Sequence, residues 1–140
     1  MSRFVILRHD PMPGGTLPLH WDLMIEHDET LWTWALAEQP QAGASISGEL
    51  LADHRKAYLE YEGPLSRDRG SVARWDAGEF QWVKQSQTVL VVRLIGQRFK
   101  GTVQLEQRQP EVSGPRTDGR GRVAGQRWTV SFSSEVRGAR

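Results

Sequence analysis

Residues 18–37 read PLHWDLMIEHDETLWTWALA, and this stretch decides the fold class. Large apolar residues recur at every second position on both sides of Asp28-Glu29. Alternation of this kind is typical of β-strands that bury one face, and acidic residues at the centre favour a tight turn. The stretch therefore predicts two strands, at 18–26 and 30–37, joined by that turn.

The same alternation extends along most of the chain, without the 3.6-residue apolar period of an amphipathic helix. A short helix or turn is predicted at 49–57, and Asp76-Ala77-Gly78 is predicted to be a turn. Eight short strands with tight connections predict a mostly β fold, either a small closed barrel or a sandwich. The six further strands are predicted at 3–9, 70–76, 79–84, 87–95, 99–107 and 126–133.

The length of 140 residues suits a single domain, so residues 1–140 are predicted to form one unit. Residues 109–125 are rich in Pro, Gly and Arg and are predicted to be a mobile loop. The chain has no cysteine, which excludes disulfides, thiolate nucleophiles and metal sites with sulfur ligands. It also lacks a signal-peptide core and a long apolar span, so a cytoplasmic location without membrane contact is predicted.

Charge is unevenly distributed although the net charge is only +1. Residues 1–92 carry 8 basic and 13 acidic side chains, whereas residues 93–140 carry 10 basic and 4 acidic ones. Arginine is well suited to phosphate contacts, but a coding bias towards arginine produces the same enrichment. The cationic last third is therefore a candidate nucleic-acid contact, with the compositional explanation left open.

The segment His20-Trp21-Asp22-Leu23-Met24 lies within a predicted strand. Alternate side chains share a face, so His20, Asp22 and Met24 should point away from the apolar row. If strands 3–9 and 18–26 pair, His9 approaches His20 and Asp22. Two imidazoles and a carboxylate would suit Mn²⁺, Fe²⁺ or Zn²⁺, although a His-x-Asp pattern on a strand is also common as a surface hydrogen-bonded pair.

A second pair of candidates is His54 and Tyr58. Residues four apart share a face in a helical turn, where they often form a packed aromatic pair. Their spacing alone does not separate this structural role from a catalytic one.

Taken in order, several segments resemble the 3'-phosphoesterase domain of bacterial DNA ligase D. That family shows a Lys-His start, an HYDLRLE-like strand, a W-A-V segment, a D-H-P-L-E-Y segment, a G-T-V-x-x-W-D-x-G segment and an L-x-G-x-x-L-x-G segment, in this order. The corresponding segments here are 4–9 (FVILRH), 19–26 (LHWDLMIE), 32–36 (WTWAL), 53–58 (DHRKAY), 70–78 (GSVARWDAG) and 94–101 (LIGQRFKG), and 62–63 (EG) falls in the same order.

The resemblance implies a small closed or nearly closed antiparallel β-barrel of about eight strands with little helix. It further implies a manganese-dependent enzyme of DNA repair, a monomer that processes the 3' ends of DNA primer-templates. Such an enzyme removes a 3'-ribonucleotide or a 3'-phosphate, alongside a DNA ligase or polymerase of end joining. His9, His20 and Asp22 match the metal ligands of the family, and His54 and Tyr58 match its phosphate-binding and catalytic pair.

Met24 departs from the family pattern, which has an arginine at this position on the metal-binding face. Loss of one charge-assisted hydrogen bond, worth about 1.5–3 kcal/mol, would slow turnover roughly ten- to a hundredfold. The alternative function is therefore a catalytically weak or inactive module of the same fold that binds DNA ends or a partner protein. The chain also opens almost at its first strand, so removal of a 3'-ribonucleoside is expected to be weaker than removal of a phosphate.

Overall fold

The computed structural model describes residues 2–108 and 124–135. Strands alternate with short turns, and one 3₁₀ helix occupies Lys56–Leu59. The strands are β1 (Ser2–Asp10), β2 (His20–His27), β3 (Thr30–Leu36), β4 (Ser45–Arg55), β5 (Gly63–Pro64), β6 (Ser71–Gln85), β7 (Val89–Gly96), β8 (Lys100–Gln107) and β9 (Arg127–Ser134).

These strands form one antiparallel sheet in the order β1-β2-β3-β4-β9-β8-β7-β6-β5. Pairing of β1 with β6 joins the sheet to itself, so eight strands close a barrel and β5 is an extra strand beside β6. The predicted β-barrel is confirmed. Within the described residues, no helix is long and apolar enough to cross a membrane.

The barrel interior is filled by one face of each strand. Trp34 and Trp128 lie at its centre, fully buried, with ring centroids 5.6 Å apart in a T-shaped contact. Trp21, Leu23 and Ile25 of β2 all point inward. The alternation read from the sequence of β2 is therefore correct, and it leaves His20, Asp22 and Met24 on the outer face.

Part of this outer face is also buried, beneath the segment that follows β4. An outer cluster of apolar side chains forms there, with Tyr58, Leu65 and Ala77 packed against it. Its members are Val5, Leu7, Met24, Leu31, Leu59 and Val72. Because β1 and β2 are covered on both faces, their ends give rigid support to any site built on them.

The prediction of a turn at Asp76-Ala77-Gly78 is wrong, since these residues lie within the continuous strand β6. The register between β1 and β6 shifts at Ile6/Leu7, which marks a β-bulge rather than a chain reversal. Gly78 is needed because a Cβ there would lie 2.1 Å from the carbonyl oxygen of Ile95. Strands predicted at 70–76 and 79–84 are thus one element.

The predicted helix or turn at 49–57 is also wrong over most of its length. Residues 45–55 form β4, and only the end of the range enters the 3₁₀ helix. Ile46 and Leu50 point inward as a strand requires, but Gly48 between them has no side chain, which hides the alternation in the sequence. Of the loop predicted at 109–125, residues 109–123 lie outside the described residues.

Candidate metal centre

Strand register brings together the three predicted ligands on the outer face of the barrel. His9 lies directly opposite His20 where β1 and β2 pair, and Asp22 follows two residues along β2 on the same face. One nitrogen or oxygen atom from each residue lies within 4.8 Å of the others. We call this group the His-His-Asp triad.

Asp22 is at the centre of the triad and is only 3 % exposed. Its Oδ2 lies 3.3 Å from Nδ1 of His9, and its Oδ1 lies 3.1 Å from Nε2 of His20. The second approach lacks hydrogen-bond geometry, so this buried oxygen has no hydrogen-bond donor among the described residues. A buried carboxylate oxygen without a donor is costly unless a cation compensates it.

The opposite nitrogen of each imidazole contacts a backbone carbonyl. Nε2 of His9 lies 2.7 Å from the carbonyl oxygen of Arg69, and Nδ1 of His20 lies 3.0 Å from that of Pro18. A carbonyl only accepts hydrogen bonds, so these nitrogens carry the protons of the neutral rings. When both rings are neutral, lone pairs on His9 Nδ1 and His20 Nε2 face the Asp22 carboxylate, an all-acceptor arrangement that fits a divalent cation.

Protonation states in the triad are coupled. Burial of the His20 imidazole lowers its pKa, and burial of the Asp22 carboxyl raises its pKa. The attraction between the two side chains has the opposite effect on each pKa and is larger. The net result is a raised pKa for His20 and a lowered pKa for Asp22. Glu49 adds to the rise at His20. Without a metal, the Asp22 carboxylate therefore stabilises protonated His20 relative to a free imidazole.

Mn²⁺ affinity is expected to depend on pH because a cation must displace the proton of His20. Affinity should fall about tenfold for each pH unit below the raised pKa of His20 and level off above it. Calorimetric titration with Mn²⁺ between about pH 5.5 and about pH 8 measures this dependence. Constant affinity over that range would contradict the proton displacement.

The triad lines a cavity of about 480 Å³, whose wall also includes His54 and Tyr58. His54 is near the end of β4 and Tyr58 is in the 3₁₀ helix, with ring centroids 5.6 Å apart. Nδ1 of His54 lies 2.8 Å from the carbonyl oxygen of Ala52. That contact places its proton on Nδ1, so His54 can donate from Nε2 only as an imidazolium.

Met24 also lines this cavity and is 1 % exposed. Its side chain belongs to the outer cluster, where it contributes apolar contact and no charge. Met24 lies on the same face of β2 as His20 and Asp22, as the alternation predicts.

Sequence reasoning missed three charged residues of the cavity, which are Glu49, Arg69 and Arg127. Glu49 lies in β4, where Gly48 interrupts the apolar alternation that would indicate a strand. Arg127 opens β9 and is the ladder partner of Glu49. Arg69 comes from the loop before β6, and no local pattern in the sequence indicates that its carbonyl contacts His9.

Comparison with known families supports the resemblance noted in the sequence. The family model described as DNA Ligase D 3'-phosphoesterase domain matches residues 14–107, whereas no curated protein matches the chain. The matched range contains His20, Asp22, His54 and Tyr58, and His9 lies five residues before it. Since the match covers most of the chain, the protein belongs to the DNA ligase D 3'-phosphoesterase domain family.

Proposed function

We propose that this protein is a divalent-metal-dependent phosphoesterase that acts on nucleic-acid 3' ends in DNA repair. The observation that carries the proposal is the His-His-Asp triad, in which one nitrogen of each imidazole lies beside a different oxygen of the buried Asp22 carboxylate and Oδ1 of that carboxylate has no donor among the described residues. The triad lines a cavity that is large enough for a phosphate and also contains His54 and Tyr58, two side chains that can hydrogen-bond to one.

His9, His20 and Asp22 would hold the ion, for which we propose Mn²⁺ on the basis of the family. A divalent cation supplies positive charge that neutralises a phosphate and acidifies water near neutral pH. The chain orients its own ligands through Pro18 and Arg69, whose carbonyls hold the far sides of the two imidazoles. Such outer contacts fix ring orientation and raise ligand basicity.

His54 and Tyr58, which also line the cavity, would bind the phosphate. An imidazolium at His54, with Nδ1 held by the Ala52 carbonyl, has Nε2–H available for a phosphate oxygen or for the leaving oxygen. The Tyr58 hydroxyl would donate a further hydrogen bond. Water adds to phosphorus, the bond to the 3' oxygen breaks, and the leaving oxygen takes a proton to give a 3'-hydroxyl.

A 3'-hydroxyl end is the substrate that ligation and polymerisation require, so we propose a DNA ligase or polymerase of end joining as the functional partner. The cationic last third would contribute salt-sensitive contacts with the phosphate backbone. Arg127 of that segment lines the cavity, whereas Arg93 is paired with Glu135.

Release of inorganic phosphate from a 3'-phosphorylated primer-template in Mn²⁺ tests this proposal. Wild type should release phosphate, and His9→Ala should lower the rate at least about a hundredfold, because a ligand is lost. His27→Ala is the matched control, since His27 lies at the far end of β2 and is outside the cavity lining. Equal rates in wild type and His9→Ala would contradict the catalytic proposal.

The buried Met24 favours one alternative, a module of this fold that binds DNA ends or a partner protein without efficient turnover. The phosphate-release assay distinguishes the enzyme from the binding module. Binding of the 3'-phosphate end by wild type, with no phosphate released in any divalent metal, would support the binding module and reject the enzyme.

A further inference from the structure

A second cavity adjoins the metal-binding one, with Tyr58, Leu65 and Arg69 in the wall of both. Its volume is about 310 Å³. We call it the arginine groove, because its remaining lining includes Arg55 from the end of β4. The groove therefore continues from the site at which the proposed function places the terminal phosphate.

The arginine groove is positively charged. Arg55 and Arg69 both line it, and no lining residue is acidic. Neither guanidinium has an ion-pair partner in the part of the chain that the structure describes. Both arginines are exposed, so their mutual repulsion is weak, but an anion bound in the groove would interact favourably with both. Their placement in one groove thus indicates an anionic ligand.

Arg69 is held in position for such a ligand. Its Nε donates to the carbonyl oxygen of Ser66 at 2.9 Å, and one Nη donates to the Ser66 hydroxyl at 3.1 Å. Since a guanidinium carries five N–H donors, three stay available, and none of them has an acceptor among the described residues. Anchoring lowers the conformational entropy that binding would otherwise cost.

The backbone of the same loop is also fixed against β1. The Leu65 amide donates to the Gly70 carbonyl at 2.7 Å, and the Arg69 carbonyl contacts His9 at 2.7 Å. Gly70 has φ +90°, and a Cβ there would lie 2.0 Å from the Asp10 carbonyl oxygen. Because this loop is tied to a metal ligand, the groove and the triad have a defined relative position.

An exposed aromatic ring completes the groove. Tyr61 is 38 % exposed, and its ring meets that of Tyr58 edge-on with centroids 6.1 Å apart. The hydroxyl of Tyr61 is bound to the Pro64 carbonyl, which leaves the ring face for contact with a ligand. Arginines interspersed with exposed aromatic rings are typical of sites that bind single-stranded nucleic acid.

We propose that the arginine groove binds the nucleotide preceding the 3' terminus, with its phosphodiester on Arg55 and Arg69 and its base on Tyr61. This inference rests on the proposed function for the position of the terminal phosphate. It goes beyond that function by assigning the contacts with a second phosphate, which would supply part of the binding energy, to Arg55 and Arg69.

The test uses fluorescein-labelled tetrathymidylate with a 3'-hydroxyl, which contains internal phosphodiesters but no terminal phosphate to release. Its dissociation constant in Mn²⁺ is measured by anisotropy at several salt concentrations. Arg55→Gln and Arg69→Gln should each weaken binding about tenfold. Their combination should reduce the slope of log affinity against log salt by about 0.7, which corresponds to the loss of one phosphate contact on a single strand.

Arg67→Gln is the matched control, because Arg67 lies in the same loop and outside both cavities. Tyr61→Leu should weaken binding about tenfold, whereas Tyr61→Phe should retain it. The proposal would be overturned if Arg55→Gln, Arg69→Gln and Arg67→Gln weakened binding equally, or if none of them weakened it. Since the probe is not hydrolysed, selective loss in Arg55→Gln and Arg69→Gln supports the groove even if the phosphate-release assay fails.

Discussion

Asp22→Asn is expected to lower Mn²⁺ affinity at least about a hundredfold and to abolish detectable phosphate release with it. The substitution keeps the size of the side chain but removes the negative charge at the centre of the triad. The amide also places its NH2 group at one of the two oxygen positions, beside His9 Nδ1 or His20 Nε2, where it occupies a lone pair proposed to bind the ion. Calorimetric titration and the phosphate assay measure the two effects.

Asp28→Asn provides the control for this substitution. Asp28 also lies beside an imidazole, 3.4 Å from His27, but its side chain is exposed and outside the metal-binding cavity. Its replacement should leave affinity and turnover within about twofold of wild type, as for most exposed substitutions. Unchanged Mn²⁺ affinity in Asp22→Asn would show that the triad is a hydrogen-bonded group and not a metal site.

Asp76→Ala is expected to cause the largest loss of stability, about 3–5 kcal/mol. Asp76 is 3 % exposed, and its carboxylate accepts hydrogen bonds from the backbone amides of Ala77, Gln97, Arg98 and Phe99 at 2.8–3.0 Å. Removing the carboxylate leaves these donors without their acceptor and releases the turn between β7 and β8. Urea unfolding measures the change in the free energy of unfolding.

Glu106→Ala is the control for Asp76→Ala, since Glu106 is an exposed acidic residue of β8. Its replacement should change the free energy of unfolding by less than about 0.5 kcal/mol. Similar stability in the two variants would contradict the structural role of Asp76. The result also bears on the family pattern, because it assigns the W-D-x-G segment to barrel construction rather than to catalysis.

The site could be predicted from the sequence as far as strand alternation reaches. Alternation in β2 places His20 and Asp22 on one face, and antiparallel pairing with β1 brings His9 opposite His20. Contacts from distant loops could not be predicted in this way. Arg69 lies 60 residues from His9 along the chain, and its carbonyl reaches the imidazole only because the loop before β6 folds back over β1.

The fold could be predicted where each strand shows its own apolar alternation, and the errors occur where it does not. In β4, Gly48 interrupts the apolar row, and in β6 the Asp76-Ala77-Gly78 segment, next to a bulge, imitates a turn. Both features depend on neighbouring strands: a Cβ at Gly48 would lie 3.2 Å from Val130, and one at Gly78 would lie 2.1 Å from the carbonyl oxygen of Ile95. Partners so distant in sequence leave no local signal.

Anomalous diffraction at the manganese edge, from a crystal grown with Mn²⁺, tests the triad most directly. The account predicts one peak within about 2.0–2.4 Å of His9 Nδ1, His20 Nε2 and an oxygen of Asp22. It also predicts that Arg69 and Pro18 keep their contacts with the outer imidazole nitrogens. A crystal saturated with Mn²⁺ that shows no anomalous peak at the triad would contradict the metal centre and the proposed enzyme. So would a bound ion that lies beyond ligand distance of His9.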